Sequence, residues 1–406
     1  MSRSPLIVGL EIGTTKVCAV VGETRPDGAL RILGVGECKS TGIRKGEIVD
    51  FANAVQCVRE AVAEAEEKAD AEIRSVWVAV TGSHIQSFNN RGVTQIPEDR
   101  GEIDDEDIQD VETSAKEVSI PDQNWFIHTI LQHYYVDKQE GVLNPVGMLG
   151  NKLEADFHII HGIKTRVQNT LRCVTDADVE VEDVVVNSLA AAQVVLDQNQ
   201  KDLGALVLDI GGGTTDYLVY IDGAVRHSGV LAVGGDHITN DISIGLRIPI
   251  ARAERLKIEE GSALVDEAMP GDTIILKNDS GFSGCEIERA TLNRIIDARV
   301  RELFDLILRD TDAHCDLPLI RAGVFLTGGC SQLKGLPEVA AEVFDIPVHA
   351  AVAQEVAGPT SVFQNPRYAT AIGVVKYAQL MHEEPEPGSI FNIFGKKVGG
   401  LFGRKR

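Results

Sequence analysis

Apolar positions recur along the chain in two periods, and one arrangement of them occurs twice. The run Leu6-Ile7-Val8-Gly9-Leu10 passes through Glu11 into Gly13-Thr14-Thr15-Lys16 and on into a second apolar run, 17–21. Two such runs flanking a glycine turn predict a β-hairpin. The same order returns at 206–220, where Leu206-Val207-Leu208 leads through Asp209 into Gly211-Gly212-Gly213-Thr214-Thr215 and a further apolar run. Each half of the chain therefore opens on one hairpin, with an acid just before its turn.

Between the hairpins, 52–69 has helical spacing with Val55, Val58 and Val62 on one face, and 76–81 reads as a strand. An excursion over 85–164 holds an acidic stretch, a helix and strands around 125–136 and 152–163. It reads as an inserted α+β unit, because the βα rhythm resumes with a helix near 165–175 and a strand at 181–186. The second half adds a strand at 223–230, a Gly-Gly-Asp turn at 234–236 opening a helix, a charged helix at 250–260 and a small sheet within 262–288. A long helix over 289–309 has Leu292, Ile295, Ile296, Leu303, Leu306 and Ile307 as its apolar positions. A strand at 322–326 enters a third glycine turn, Gly328-Gly329, and 368–380 is a final helix of small residues. The small residues of 187–192 and 371–373 suit either a close helix crossing at a hinge between the halves or ordinary helix packing. Strand alternating with helix predicts an α/β protein.

A length of 406 residues suits two or three domains. No uncharged apolar run is long enough to span a bilayer, and the start at Met1–Pro5 has no apolar signal core, so a cytosolic protein is expected. Seven scattered cysteines without a C-x-x-C pair predict buried thiols rather than disulfides or zinc. The net charge of −22 speaks against nucleic acid as a partner.

A turn of Gly and Thr aims backbone N–H groups and hydroxyls at one point, which suits phosphate oxygens. An acid before each turn offers a place for Mg²⁺ or for an oriented water. Neither a Walker A motif nor G-x-G-x-x-G occurs, so the site lies between two hairpins rather than at one loop.

The two hairpins and the stretch 326–335 resemble the phosphate-1, phosphate-2 and adenosine motifs of the actin, heat-shock-chaperone and sugar-kinase ATPase superfamily. Within it, the chain resembles the bacterial FtsA family over nearly its whole length. Its insertion, the stretch 141–147, Arg226-His227, 233–242 and 253–257 all read like that family. The resemblance implies an actin-like fold of two duplicated RNase H-like domains. Subdomain 1A would comprise 1–84, 165–197 and 360–382; an SHS2-like 1C, 85–164; 2A, 198–244 and 315–359; and 2B, 245–314.

It also implies ATP and Mg²⁺ as cofactors. Gly13, Thr14, Thr15 and Lys16 would meet the terminal phosphates, and Gly211, Gly212, Gly213, Thr214 and Thr215 their other side. Asp209 would reach Mg²⁺ through water. Gly234 and Gly235 would approach phosphate or sugar, Glu254 and Lys257 the ribose, and Gly328, Gly329 and Gln332 the adenine. Glu11 stands where most of the superfamily has Asp, and its extra methylene moves the carboxylate by roughly one bond length, so slow turnover at most is expected.

Residues 389–406, after a linker at 383–388, hold five basic residues and no acid, which leaves −27 on the remainder. On a helix, Ile390, Phe391, Ile393, Phe394, Val398, Leu401 and Phe402 share one half of the circumference, with Lys396 opposite. Lys397, Arg404 and Lys405 project from the apolar half and can snorkel. This is the pattern of an interfacial anchor for anionic lipid, the alternative being a helix that packs back on the body. Weak single tails would bind far better when several share one polymer.

Arg289, Arg294, Arg299 and Arg301 are either solvated charges or a seat for an acidic peptide. The resemblance favours the second, placing the C-terminal tail of the tubulin-like FtsZ on Arg289, Arg299 and Arg301. The expected function is thus an actin-like protein that self-assembles on the cytoplasmic face of the inner membrane at the division site, anchors the FtsZ ring and recruits later division proteins through 1C. The alternatives are a pilus-assembly ATP-binding protein of the same fold or a sugar kinase; the latter needs a base facing a sugar pocket. The acidic stretch 98–112 reads as a solvated loop and helix start, and His158 and His161, on opposite strand faces, as structural.

Overall fold

The computed structural model describes residues 6–265, 271–278 and 284–382. The anchor segment and its linker lie outside the described residues. Two sheets carry the two halves. The first has six strands in the order Glu180–Val186, Ser75–Val80, Leu6–Ile12, Lys16–Thr24, Leu30–Lys39 and Val356–Ala357. The second has five, in the order Ala224–Leu231, Thr215–Ile221, Ala205–Ile210, Gly323–Thr327 and Val348–Ala350.

Their hairpins match in register. Glu11 pairs with Cys18 across the first turn, and Asp209 with Asp216 across the second, both antiparallel. Each leading strand also pairs in parallel with a later one, Leu10 beside Val78 and Leu208 beside Leu326. Lys16–Val21 and Ala205–Ile210 are buried at every position, as central strands covered on both faces must be.

Two helices lie between the sheets. Asn187–Val195 packs on the second sheet and Ala369–His382 on the first, and they cross each other. A Cβ on Gly373 would stand 2.1 Å from the carbonyl oxygen of Ala190, so the crossing depends on that missing side chain. The small residues read from the sequence are therefore a close helix crossing between the halves.

The insertion is a four-stranded antiparallel sheet, Gln86–Gln95, Lys152–Ile163, Asn124–Val136 and Gln139–Val142, with the helix Asp105–Lys116. The sequence predicts neither Leu30–Lys39 of the first sheet nor Gln86–Gln95 here, the latter because its polar residues leave no apolar alternation. Asp104 caps the helix by accepting from Glu106 and Asp107 N–H, and its first turn carries three acids, which explains the acidic stretch through the helix dipole. The insertion has its own core around Val111, Leu153, Ala155 and Ile159.

The long helix runs Arg289–His314, five residues beyond the expected end. Its buried face includes Val300 and Phe304, whereas Leu306 is exposed, so the apolar stripe lies slightly off the one expected. Of the cysteines, all free, Cys285 and Cys330 are half-buried and the other five buried. No described helix is long and apolar enough to cross a membrane.

Candidate functional site

The two hairpin turns face each other across the seam between the halves. Each closes by the same bond, Gly13 N–H to Lys16 C=O and Gly211 N–H to Thr214 C=O, both at 2.9 Å. The approach is tight: a Cβ on Gly213 would lie 2.4 Å from Thr14 Oγ1, and one on Gly212 2.6 Å from Thr15 Cγ2. The third glycine turn forms another wall. Gly328 has φ +85°, a conformation favouring glycine, and a Cβ there would stand 2.3 Å from Asp209 Oδ1. The helix Gly235–Leu246 starts at the same place, with Gly235 N–H bonded to Gly211 C=O and Asp236 N–H to Gly212 C=O.

These walls enclose a cavity of about 570 Å³. Glu11, Gly13, Thr14, Thr15, Lys16, Asp209, Gly211, Gly212, Gly213 and Thr214 line one side; Gly235, Glu254, Lys257, Gly328, Gly329 and Gln332 line the other. Two expected residues do not line it. Thr215 is fully buried and donates to Val233 C=O at 2.9 Å, and Gly234 permits close packing, since a Cβ there would lie 2.6 Å from the Gly211 carbonyl oxygen. Both shape the turn rather than face the cavity.

The polar centre is acidic around one cation. The buried Lys16 ammonium donates to Glu11 at 2.5 Å. Burial alone would lower its pKa, and the attraction of Glu11, Cys18 and Asp209 more than offsets this, leaving it raised. Asp209 is pushed up to about 6 by burial and then by Glu11, against a hydrogen bond from Thr370 Oγ1. Asp216 is pushed up to about 8 by burial and then by Asp209. Lys257 donates to Glu254 at 2.7 Å, to Thr239 Oγ1 at 2.9 Å and to Gly235 C=O at 3.1 Å, which fixes the pair against the helix start.

Several lining residues lay outside the sequence reading of the site: Thr81, Asn187, Asp216, Asp236, Arg367 and Thr370. Asn187 and Thr370 sit on the crossing helices, which read as packing, and Asp216 follows the glycine turn by one strand position. Asn187 Oδ1 is buried without a protein partner.

The four arginines lie apart from this cavity, on the helix Arg289–His314; Arg294 donates to Thr291 Oγ1 at 3.1 Å, and the other three already have carboxylates. Arg289 pairs with Glu260 and Asp272, Arg299 with Asp241 and Glu302, and Arg301 with Asp297 and Glu342. His158 bonds Asn89 Oδ1 and Ser228 Oγ, and His161 bonds Asn124, so both histidines are structural.

Comparison with known proteins decides the family. The model of the cell division protein FtsA matches residues 206–373, and that of the SHS2 domain inserted in FtsA matches 82–161. FtsA of Pseudomonas aeruginosa is 40% identical over 372 residues, 92% of this chain and 89% of that one. The chain belongs to the FtsA family. FtsA of Neisseria meningitidis is 37% identical over 97% of this chain and 95% of its own, and that of Escherichia coli 36% over 93% and 91%. A cell-division function follows from this membership in the FtsA family, and the SHS2 match explains why the insertion folds as a unit.

Among solved structures, the PilM–PilN type IV pilus biogenesis complex aligns at TM-score 0.65 and 16% identity over 92% of this chain and 98% of that one. MreB5 of Spiroplasma citri bound to ADP aligns at 0.54 and 14%, over 93% and 96%. At these identities the likeness concerns the fold, which is actin-like.

Proposed function

We propose that this FtsA-family chain binds ATP with Mg²⁺ between its two hairpins and uses the nucleotide as a switch for self-assembly, with slow turnover at most. The observation that carries the reading is the pair of acid-glycine-threonine turns packed face to face around Lys16. The residues present suit the ligand. Glycines leave backbone N–H groups without side-chain cover, and the carboxyls of Glu11, Asp209 and Asp216 crowd around Lys16; burial and mutual repulsion hold Asp209 up to about 6 and Asp216 up to about 8.

Gly13–Lys16 and Gly211–Thr214 would hold the phosphates, and Asp209 would hold Mg²⁺ through water. The ion, when bound, supplies the positive charge that draws phosphate oxygens and buried acids together. With nucleotide bound, Lys16 would exchange Glu11 for phosphate oxygen, leaving Glu11 to orient a water. Thr215 and Gly234 keep the turn in shape, Glu254 and Lys257 would border the ribose, and Gly328, Gly329 and Gln332 would border the adenine. MreB5, of the same fold, is a nucleotide-bound relative.

On the same reading, residues 389–406 anchor the protein to anionic lipid on the cytoplasmic face of the inner membrane. The insertion recruits later division proteins, and Arg289, Arg299 and Arg301 receive the acidic FtsZ tail by exchanging intramolecular carboxylates for the peptide's. Equilibrium titration with ATP and Mg²⁺ tests the central claim: saturable binding is expected, and none would overturn it. Two further assays test the attachments. An FtsZ C-terminal peptide should lose affinity for Arg299→Glu, and deletion of 389–406 should abolish co-sedimentation with anionic liposomes.

A further inference from the structure

Away from the nucleotide cavity, the strand Ala224–Leu231 meets the last turns of the helix Arg289–His314. His227 from the strand and Asp310 and His314 from the helix converge there, and one ligand atom from each lies within 4.8 Å of the others. Asp310 and His314 are four apart on a helix, hence on one face. His227 is buried and donates from Nε2 to Asp310 Oδ2 at 2.6 Å. Tyr217 Oη donates to the same oxygen at 2.5 Å, holding the carboxylate in place. The imidazoles of His227 and His314 stack, 4.2 Å between centroids and 6° between planes.

We propose that His227, Asp310 and His314 form a zinc site, clamping the edge strand of the second sheet to the end of the long helix. His227 bonds the Asp310 carboxylate, whereas His314 bonds the Asp310 backbone carbonyl through Nδ1 at 2.7 Å, so these hydrogen bonds alone do not gather the three ligand atoms around one carboxylate. A divalent ion placed among the three ligand atoms meets two imidazole nitrogens and one carboxylate oxygen at once. Two histidines and one carboxylate are a common donor set for zinc, with a fourth position left to water. Tyr217 supplies the outer hydrogen bond that orients such a carboxylate. Zinc would take the Nε2 lone pair of a neutral His227 ring whose single hydrogen sits on Nδ1; a ring that starts neutral only shifts its hydrogen, and one that starts as imidazolium releases one proton. His314 is exposed and its ring can turn towards the ion.

The site also opens beside a polar cleft of about 370 Å³ that reaches the inserted sheet, lined by Gln132, His133, Arg226, Asp312 and His314. The same strand receives the insertion, through Gln132 Nε2 to Val225 C=O and Asn89 Nδ2 to Arg226 C=O. A clamp here would stiffen the surface on which the insertion rests.

The test is titration of the full-length protein with zinc alone, against a chromophoric chelator and with excess Mg²⁺ to occupy carboxylate sites. One equivalent is expected at sub-micromolar affinity, weakened about tenfold or more by His314→Ala and by Asp310→Asn. Cobalt(II) should give visible bands in the wild type that both variants lose. Circular dichroism confirms folding, and His314, exposed near the helix end, is a safe position for truncation. No zinc binding by the wild type, or equal binding by wild type and both folded variants through thiols such as Cys285 and Cys330, would overturn the assignment.

Discussion

Thr81 donates its hydroxyl to Asp216 at 2.6 Å, a buried hydrogen bond that ties the end of a strand in the first half to the hairpin of the second. It lies at the floor of the cavity, where both residues are lining. Thr81→Val removes the donor while keeping the shape, and leaves a buried carboxyl with one partner fewer. The nucleotide-free protein should lose about 1–3 kcal/mol, read from urea unfolding. A change within error would show that this bond does not hold the halves together.

Lys16 is the cation among Glu11, Asp209 and Asp216. Lys16→Ala should weaken ATP binding by roughly 10- to 100-fold, the loss of one charge-assisted phosphate contact. Isothermal titration measures it, and unchanged affinity would place the phosphates elsewhere. Melting temperature without nucleotide should fall too, since Glu11 and Asp209 then face each other without a counter-charge.

The helix crossing between the sheets gives a prediction against helix propensity. Gly→Ala inside a helix ordinarily gains about 1 kcal/mol. At Gly373 the new methyl would meet the Ala190 carbonyl at 2.1 Å, so Gly373→Ala should instead cost about 1–3 kcal/mol. A raised melting temperature would mean that the two helices separate freely.

His158 gives the pH dependence at the seat of the insertion. Burial, then the neighbouring His227, His128 and Arg226, pushes its pKa down to about 3. From the ordinary value near 6.5 down to about 3, the folded form holds fewer protons than the unfolded one. Stability from this group is therefore present above that ordinary value and lost as pH falls, by up to about 1.4 kcal/mol per pH unit. Buried Asp209 and Asp216 act in the opposite sense, so the comparison must be with a variant. His158→Gln should lie below the wild type in unfolding free energy at pH 7 and approach it as pH falls to 5. A gap independent of pH would show that His158 is accessible to protons when folded.

Much of the fold was legible because glycine turns and β-branched runs are local signals. The repeated hairpin, the insertion and most of the alternation of helix and strand follow from turn chemistry and periodicity, whereas the strand Leu30–Lys39 and the helix Leu336–Phe344 do not. The strand Gln86–Gln95 escaped because a sheet edge can be polar, and the buried face of the Arg289–His314 helix shifted because burial depends on what packs against it.

The sequence by itself determined that two acid-glycine-threonine turns exist and that the strongest basic, apolar segment stands at the C-terminal end. Only the tertiary structure decided which residues meet: that Gly213 lies against Thr14, that Thr215 turns inward while Asp216 joins the cavity, and that Asn187 and Thr370 reach it from the crossing helices. The physical reason is that a turn is fixed by a few neighbouring dihedral angles, whereas a cavity is made by segments hundreds of residues apart whose approach depends on packing across the whole seam.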